Sequence, residues 1–173
     1  MNSYLLALLN LQPIHLSEPL PVILLLDNVR SLHNVGSLFR SADGAGIQRI
    51  ILCGLTPVPP RAEITKTALG ATHSLPWEYS ANSVLAMKKY MPTYRPIALE
   101  QTSNSTNLYE TALTVPLLLV VGHERSGISP EVLSVCQTHV HLPMFGTSAH
   151  SLNVSIAGSL ALYELRRRNC YSN

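Results

Sequence analysis

The sequence predicts an α/β domain with a mostly parallel sheet flanked by helices, and three observations carry that prediction. Short runs of strand length are apolar throughout and do not alternate. Stretches with helical spacing separate them. Polar, glycine-containing loops follow the strand ends. Continuous apolar runs are what strands buried on both faces require, and parallel sheets bury both faces because their crossover helices lie there. The chain has 173 residues, 46% apolar and 13% charged, which makes it globular, long enough for a sizeable core and of a size for one domain over residues 1–173.

The elements follow in order. "PVILLLD" (Pro21 to Asp27) is the first buried strand. "NVGSLFRSADGAG" places Val35, Leu38, Phe39 and Ala42 at helical spacing, with Gly44 and Gly46 closing the helix. "RIILCG" (Arg49 to Gly54) completes a βαβ unit. "LTPVPPRAEI" (Leu55 to Ile64) reads as a proline-broken loop. "SLPWEY" and "RPIALEQT" read as short strands around the helix "SANSVLAMKKY". "VPLLLVVG" (Val115 to Gly122) is the most apolar strand. A helix starts near Ser129-Pro130-Glu131, where proline suits a first turn. "THVHLPM" (Thr138 to Met144) alternates like a strand, and "HSLNVSIAGSLALYELRRR" (His150 to Arg168) supplies a last helix with a basic end.

Several classes are excluded. No apolar run approaches the roughly 18 residues of a membrane span. The N-terminal "MNSYLLALLNLQPIHL" lacks the basic start and small-residue cleavage site of a signal peptide. It reads as a helix packed on the body or on a partner, with an exposed amphipathic arm as the alternative. Cys53, Cys136 and Cys170 are odd in number and far apart, which suits a reducing cytoplasm. A formal charge of +2 is low for a nucleic-acid binder, so phosphate contacts must come from local clusters: Arg166-Arg167-Arg168, Lys88-Lys89, or Arg61 with Lys66. Each cluster can equally be a solvated face.

In open parallel sheets ligands bind beyond the carboxyl ends of the strands. That rule nominates Asn28, Arg30, Asn34 and Arg40 after the first strand, and Gly122, Glu124, Arg125 and Gly127 after the central one. Gly146, Ser151 and Asn153 follow the last strand. Plainer readings stand beside these. Asn34 is a good N-cap, Arg40 can be a surface arginine, Glu124 can cap its loop or pair with Arg125, and Ser151 and Asn153 can cap the last helix. No phosphate loop, dinucleotide fingerprint or nucleophile elbow is present. His139, His141, Cys136 and His150 lack paired zinc-ligand spacing, so no metal is expected.

Together the three loops resemble the three motifs of the SpoU-type branch of the SPOUT class, the RNA 2′-O-ribose methyltransferases. "HNVGSLFRSADGAG" matches the first, through Asn34, Gly36 and Arg40. "VVGHERSGIS" matches the second, through Gly122, Glu124 and Gly127. "LPMFGTSAHSLNVSIAGSLALYE" matches the third, with Ser-Leu-Asn-Val-Ser its most specific element. "KTALGATHSLPWEY" and "IALEQT" are also similar to family segments. The match runs over a core of residues 21–168, leaving 1–20 as an N-terminal extension.

The resemblance implies a C-terminal deep trefoil knot, one of the rare exceptions to unknotted chains. It implies S-adenosylmethionine held by main-chain groups near Leu99, Gly122, Leu142 and Leu152. It also implies a homodimer packed through knot helices, where small residues at Ala157, Gly158 and Ala161 permit close approach, and where Arg40 of one copy serves the site of the other. Catalytic roles then fall to Arg40, with Asn34, Glu124, Ser151 and Asn153 as positioning groups. The expected substrate is transfer RNA, with ribosomal RNA the alternative, recognised by the dimer surface or with an accessory protein. A base-nitrogen methyltransferase, a catalytically silent RNA-binding module and a cofactor-independent metabolic enzyme are the rival readings. Four residues separate Gly146 from Ser151 where the family commonly has three, so the loop over the cofactor is reshaped here.

Overall fold

A computed structural model describes residues 18–148 and 150–170. The expected N-terminal helix lies outside the described residues. Seven strands form one sheet in the order β3-β2-β1-β6-β4-β7-β5, and every pairing in it is parallel. The strands are β1 (Leu20–Asp27), β2 (Ile47–Cys53), β3 (Trp77–Ser80), β4 (Arg95–Leu99), β5 (Thr106–Asn107), β6 (Leu117–Gly122) and β7 (Thr138–His141). The helices are α1 (Leu32–Gly44), α2 (Ala62–Ala68), α3 (Ala71–Ser74), α4 (Ser83–Tyr90), α5 (Pro130–Leu133) and α6 (Val154–Cys170).

The apolar runs do what their lack of alternation requires. Val22, Leu24 and Leu26 of β1 join the cluster under α1 and α6, with Leu38, Phe39, Leu162 and Leu165. Ile23 and Leu25 point the other way, into a cluster with Met87 of α4 and Val132 of α5. Both faces are therefore covered, and the wedge of small residues in α6 is turned inward. Gly158 and Ala161 are buried, and a Cβ at Gly158 would lie 2.6 Å from a methyl of Leu38. Gly158 thus allows α6 to approach α1 of the same chain. The outward face of α6 instead carries Ile156, Leu160 and Tyr163, which are 52%, 42% and 53% exposed.

The basic end of α6 is also structural. Arg166 donates to the carbonyls of Ala45 and Gly46, and Arg168 to those of Leu108 and Thr111. Arg167 and Arg168 both pair with Glu164 at 2.8 and 2.6 Å. Hydrogen bonds from Arg167, and then from Arg168, hold the Glu164 carboxyl down at about 2 against the opposing effect of burial. Arg166 and Arg168 thus tie the last helix to the body.

Other boundaries shift for local reasons. Helix α2 begins inside the stretch expected as a loop, once the prolines end at Pro60. The last expected strand stops at His141, before Pro143, which has no N–H to extend a ladder. Burial pushes the Cys53 and Cys136 thiols up to about 12, which removes both as thiolate nucleophiles.

Gly36 shows why the first motif needs a glycine. A Cβ there would lie 1.9 Å from Thr67 Oγ1 and 2.6 Å from the Ile64 carbonyl oxygen, so α1 and α2 touch through it. Gly36→Ala gains up to about 1 kcal/mol of helix propensity but meets a backbone atom that cannot rotate away. Overpacking of this kind costs about 1–3 kcal/mol, so a net loss of stability is expected. Gly158→Ala meets only the end of a leucine side chain, and its urea midpoint should fall less than that of Gly36→Ala.

Candidate functional site

The carboxyl ends of β4, β6 and β7 open onto one cleft. Its lining includes Leu99, Gly122, Leu142 and Leu152, the four positions expected to hold the cofactor, together with Glu124 and Ser151. Val121, Val154 and Ala157 add apolar surface. The segment from Leu142 to Ser151 has no regular secondary structure where described, and Leu142, Met144 and Ser151 of it line the cleft.

Beside the cleft, a chain of hydrogen bonds joins the three sequence motifs. Glu124 accepts from the main-chain N–H of Arg30 at 3.1 Å and of Ser31 at 2.9 Å, and from the Asn34 side-chain amide at 2.9 Å. Asn34 Oδ1 accepts from Asn153 Nδ2 at 3.1 Å. Asn153 Oδ1 accepts in turn from the N–H and hydroxyl of Ser155 at 2.8 and 2.7 Å. Asn153 is thus the N-cap of α6 and a member of this network at once. Asn34 is not the cap of α1. Ser31 fills that position and accepts from the Asn34 N–H, which leaves the Asn34 side chain free for Glu124 and Asn153. Ser151 lies on the cleft rim and does not cap the helix.

The second motif is folded tightly. His123 N–H donates to the Gly127 carbonyl and Gly127 N–H to that of His123, while His123 Nδ1 accepts from the N–H of Arg125 and Ser126. A Cβ on Gly122 would lie 2.3 Å from main-chain atoms of Gly127 and Ile128, so the loop returns across that glycine. Burial favours the protonated form of Glu124. The hydrogen bonds from Asn34, the Ser31 N–H, its own N–H and the Arg30 N–H outweigh burial and hold the carboxyl below its ordinary value.

Arg40 is not brought to the cleft. It is exposed and lines a shallow groove with Ser37, Ser41, Lys66, Thr67, Ser155 and Ile156. Of the basic pairs in the sequence, Lys66 lies in that groove, whereas Lys89 pairs with Glu78 at 2.8 Å. His139 donates from Nε2 to the Leu133 carbonyl, and its Nδ1 lies 3.1 Å from the Thr102 hydroxyl. Among the described residues no group of three or more His, Cys, Asp or Glu is placed to hold a metal ion. Sequence reasoning missed Glu100, Gln101, His141 and Met144 in the cleft lining. The signal for Glu100 was present, since it directly follows β4, where ligands of parallel sheets bind.

The protein is of the class with a fully parallel sheet, a cleft at its carboxyl edge and, beside it, one polar network joining the loops of the three motifs. The chain belongs to the SpoU rRNA Methylase family, which matches residues 21–163. It is 34% identical over 149 residues to the 23S rRNA (guanosine-2'-O-)-methyltransferase RlmB of Shewanella oneidensis, covering 86% of this chain and 60% of that protein. The crystal structure of the SpoU methyltransferase AviRb from Streptomyces viridochromogenes in complex with AdoMet has a TM-score of 0.78 and 26% identity, over 86% of this chain and 58% of that one. The A. aeolicus TrmH/SpoU tRNA modifying enzyme has a TM-score of 0.80 and 27% identity, over 90% of this chain and 79% of that one. The chain spans about 60% of the length of the curated relatives it matches.

The depressed Glu124 carboxyl links stability to pH. The folded state binds this proton less tightly than the unfolded chain, so the contribution is complete above about pH 4.3 and is lost as pH falls through the lower folded value. Urea unfolding followed from about pH 7 down to about pH 3 should show a shallower acid loss in Glu124→Gln than in the parent protein. Glu164 continues to titrate in both.

Proposed function

We propose that the chain transfers a methyl group from S-adenosylmethionine to a ribose 2′-hydroxyl of RNA. The observation that carries this reading is the Glu124–Asn34–Asn153 chain, which fixes the loops of all three motifs around one cleft. The cleft suits an adenosine, since it offers apolar faces from Leu99, Val121, Leu142 and Leu152 beside irregular main chain that can donate and accept. Main-chain groups at Leu99, Gly122, Leu142 and Leu152 would hold it. When bound, the cofactor supplies a methyl on a sulfonium, an electrophile for in-line displacement.

Such a displacement needs alignment more than covalent help. Asn34, Glu124, Ser151 and Asn153 position the reacting groups on this reading. Arg40 contacts the ribose and its phosphate, and its positive charge favours the ionised hydroxyl. A free guanidinium is too weak an acid to serve as a base at neutral pH, so the role is electrostatic.

Arg40 faces the outer groove and not the cleft of its own chain, which supports service to a second copy. The outward stripe of Ile156, Leu160 and Tyr163 supports a homodimer packed on α6, and Ile156 borders the Arg40 groove itself. We further read residues 1–173 as one domain, the crossovers after β4 as the trefoil knot, and the setting as cytoplasmic. Among the described residues no helix is long and apolar enough to cross a membrane. Transfer RNA is the first substrate to test and ribosomal RNA the second, with an accessory protein added if neither is modified alone.

Incubation with methyl-labelled S-adenosylmethionine and unmodified RNA, followed by digestion, should place label in a 2′-O-methylnucleoside. Label in a base would overturn the reading. Arg40→Ala should keep cofactor affinity and lose about a hundredfold or more in rate, the scale of a deleted transition-state charge contact. A normal rate would remove Arg40 from the scheme. Leu160→Asp sets a charge in the apolar stripe. It should sediment as a monomer with its cofactor affinity retained and its turnover lost.

A further inference from the structure

The cleft holds two carboxylates with different surroundings. Glu124 is committed to three N–H donors of the α1 loop. Glu100, the first residue after β4, lines the same cleft. Its Oε1 accepts from its neighbour Gln101 N–H at 3.2 Å and its Oε2 from Ile128 N–H at 2.9 Å. Each carboxylate oxygen can accept two bonds, so half of this capacity remains. Among the described residues no cation pairs with Glu100.

The second-motif loop is shaped around this carboxylate. Gly127 has φ +71°, and a Cβ there would lie 2.3 Å from Glu100 Oε2. A glutamine would offer Ile128 the same acceptor without a charge to desolvate. A half-buried carboxylate with no cation beside it is costly as pure architecture. A cationic ligand offsets that cost. The other charged side chain of the lining besides Glu124 is Arg125, which is exposed and screened by water. His123 Nδ1 is occupied in accepting the N–H bonds of Arg125 and Ser126. His141 has its Nδ1 on the Ser105 hydroxyl, 3.0 Å away.

We propose that Glu100 is a specificity-determining residue of the cofactor site, its negative charge favouring the cationic sulfonium of S-adenosylmethionine over the neutral thioether of the product S-adenosylhomocysteine. The inference rests on the reading given under Proposed function and extends it from binding to product release. Glu100 also orders the loop through Ile128. The charge role must therefore be separated from the acceptor role.

Calorimetric titration of the full chain with each ligand separates them. Glu100→Gln keeps an acceptor for Ile128, so the loop persists. Affinity for S-adenosylmethionine should fall about tenfold, the scale of one screened charge at several ångströms, while affinity for S-adenosylhomocysteine changes less than about twofold. Glu100→Asp retains the charge and should retain the preference for the sulfonium. Equal weakening of both ligands would reduce Glu100 to loop architecture and overturn the proposal, as would no change in either. A parent protein that binds neither ligand would overturn the cofactor reading itself. A parent that binds both while the variants leave their ratio untouched would overturn only the role of Glu100.

Discussion

One carboxylate sets the polarity of the whole site. An ionised Glu124 can only accept, so every group facing it must donate. Asn34 therefore turns its amide nitrogen to Glu124 and its oxygen to Asn153. Asn153 must then present its nitrogen, which leaves its own oxygen for the first turn of α6. The orientation of two amides and the cap of the last helix thus follow from a single negative charge at the end of β6. Three segments far apart in the chain are held in register by it: the start of α1, the loop after β6 and the cap of α6. On the other face Asp27 acts alike at the end of β1, accepting from the Ser83 hydroxyl, the Asn28 amide and the Ser129 N–H. The two carboxylates fix the loops above and below the central strands.

The sheet was legible in the sequence because its signal is thermodynamic. Strands buried on both faces need continuous apolar runs, and β1, β2 and β6 have them. Short edge elements carry no such requirement, so β5 and the small helices α2 and α3 left no pattern. The candidate polar residues were legible as a set, since each follows a strand end, but their assignments were not. Asn34 looked like a cap because its residue type is shared by caps and by amide relays. Ser31, three residues earlier, is an equally good cap by type, and only the tertiary position of Glu124 decides between them. The arginines of α6 were ambiguous for a similar reason. A basic run can face a phosphate or carbonyl groups, and only the packed helix shows that Arg166 and Arg168 meet the loops at Ala45 and Leu108.

Small residues in a helix permit close approach by a neighbour, and Gly158 meets one inside its own chain, where α6 crosses α1. The surface left for a partner is the bulkier stripe on the opposite side. The two arrangements depend on each other. Close internal packing of one face of α6 leaves Ile156, Leu160 and Tyr163 uncovered, and uncovered apolar side chains in a row favour a partner of similar shape.

The separation of charges across the molecule suits the proposed chemistry. The cleft contains Glu100 and Glu124, while Arg40 and Lys66 stand in a different groove. Arg125, the guanidinium in the cleft lining, is exposed, and water screens both its pull on those carboxylates and its repulsion of a sulfonium. The carboxylates, if they shared the groove, would repel an RNA phosphate. Placing Arg40 and Lys66 in the outer groove spares the cleft two further cations. It also leaves a single chain unable to bring Arg40 to its own cleft. On the proposed reading, assembly of two chains across the α6 stripe would do more than cover apolar surface, because it would bring Arg40 and Lys66 of one chain towards the carboxylate-bearing cleft of the other.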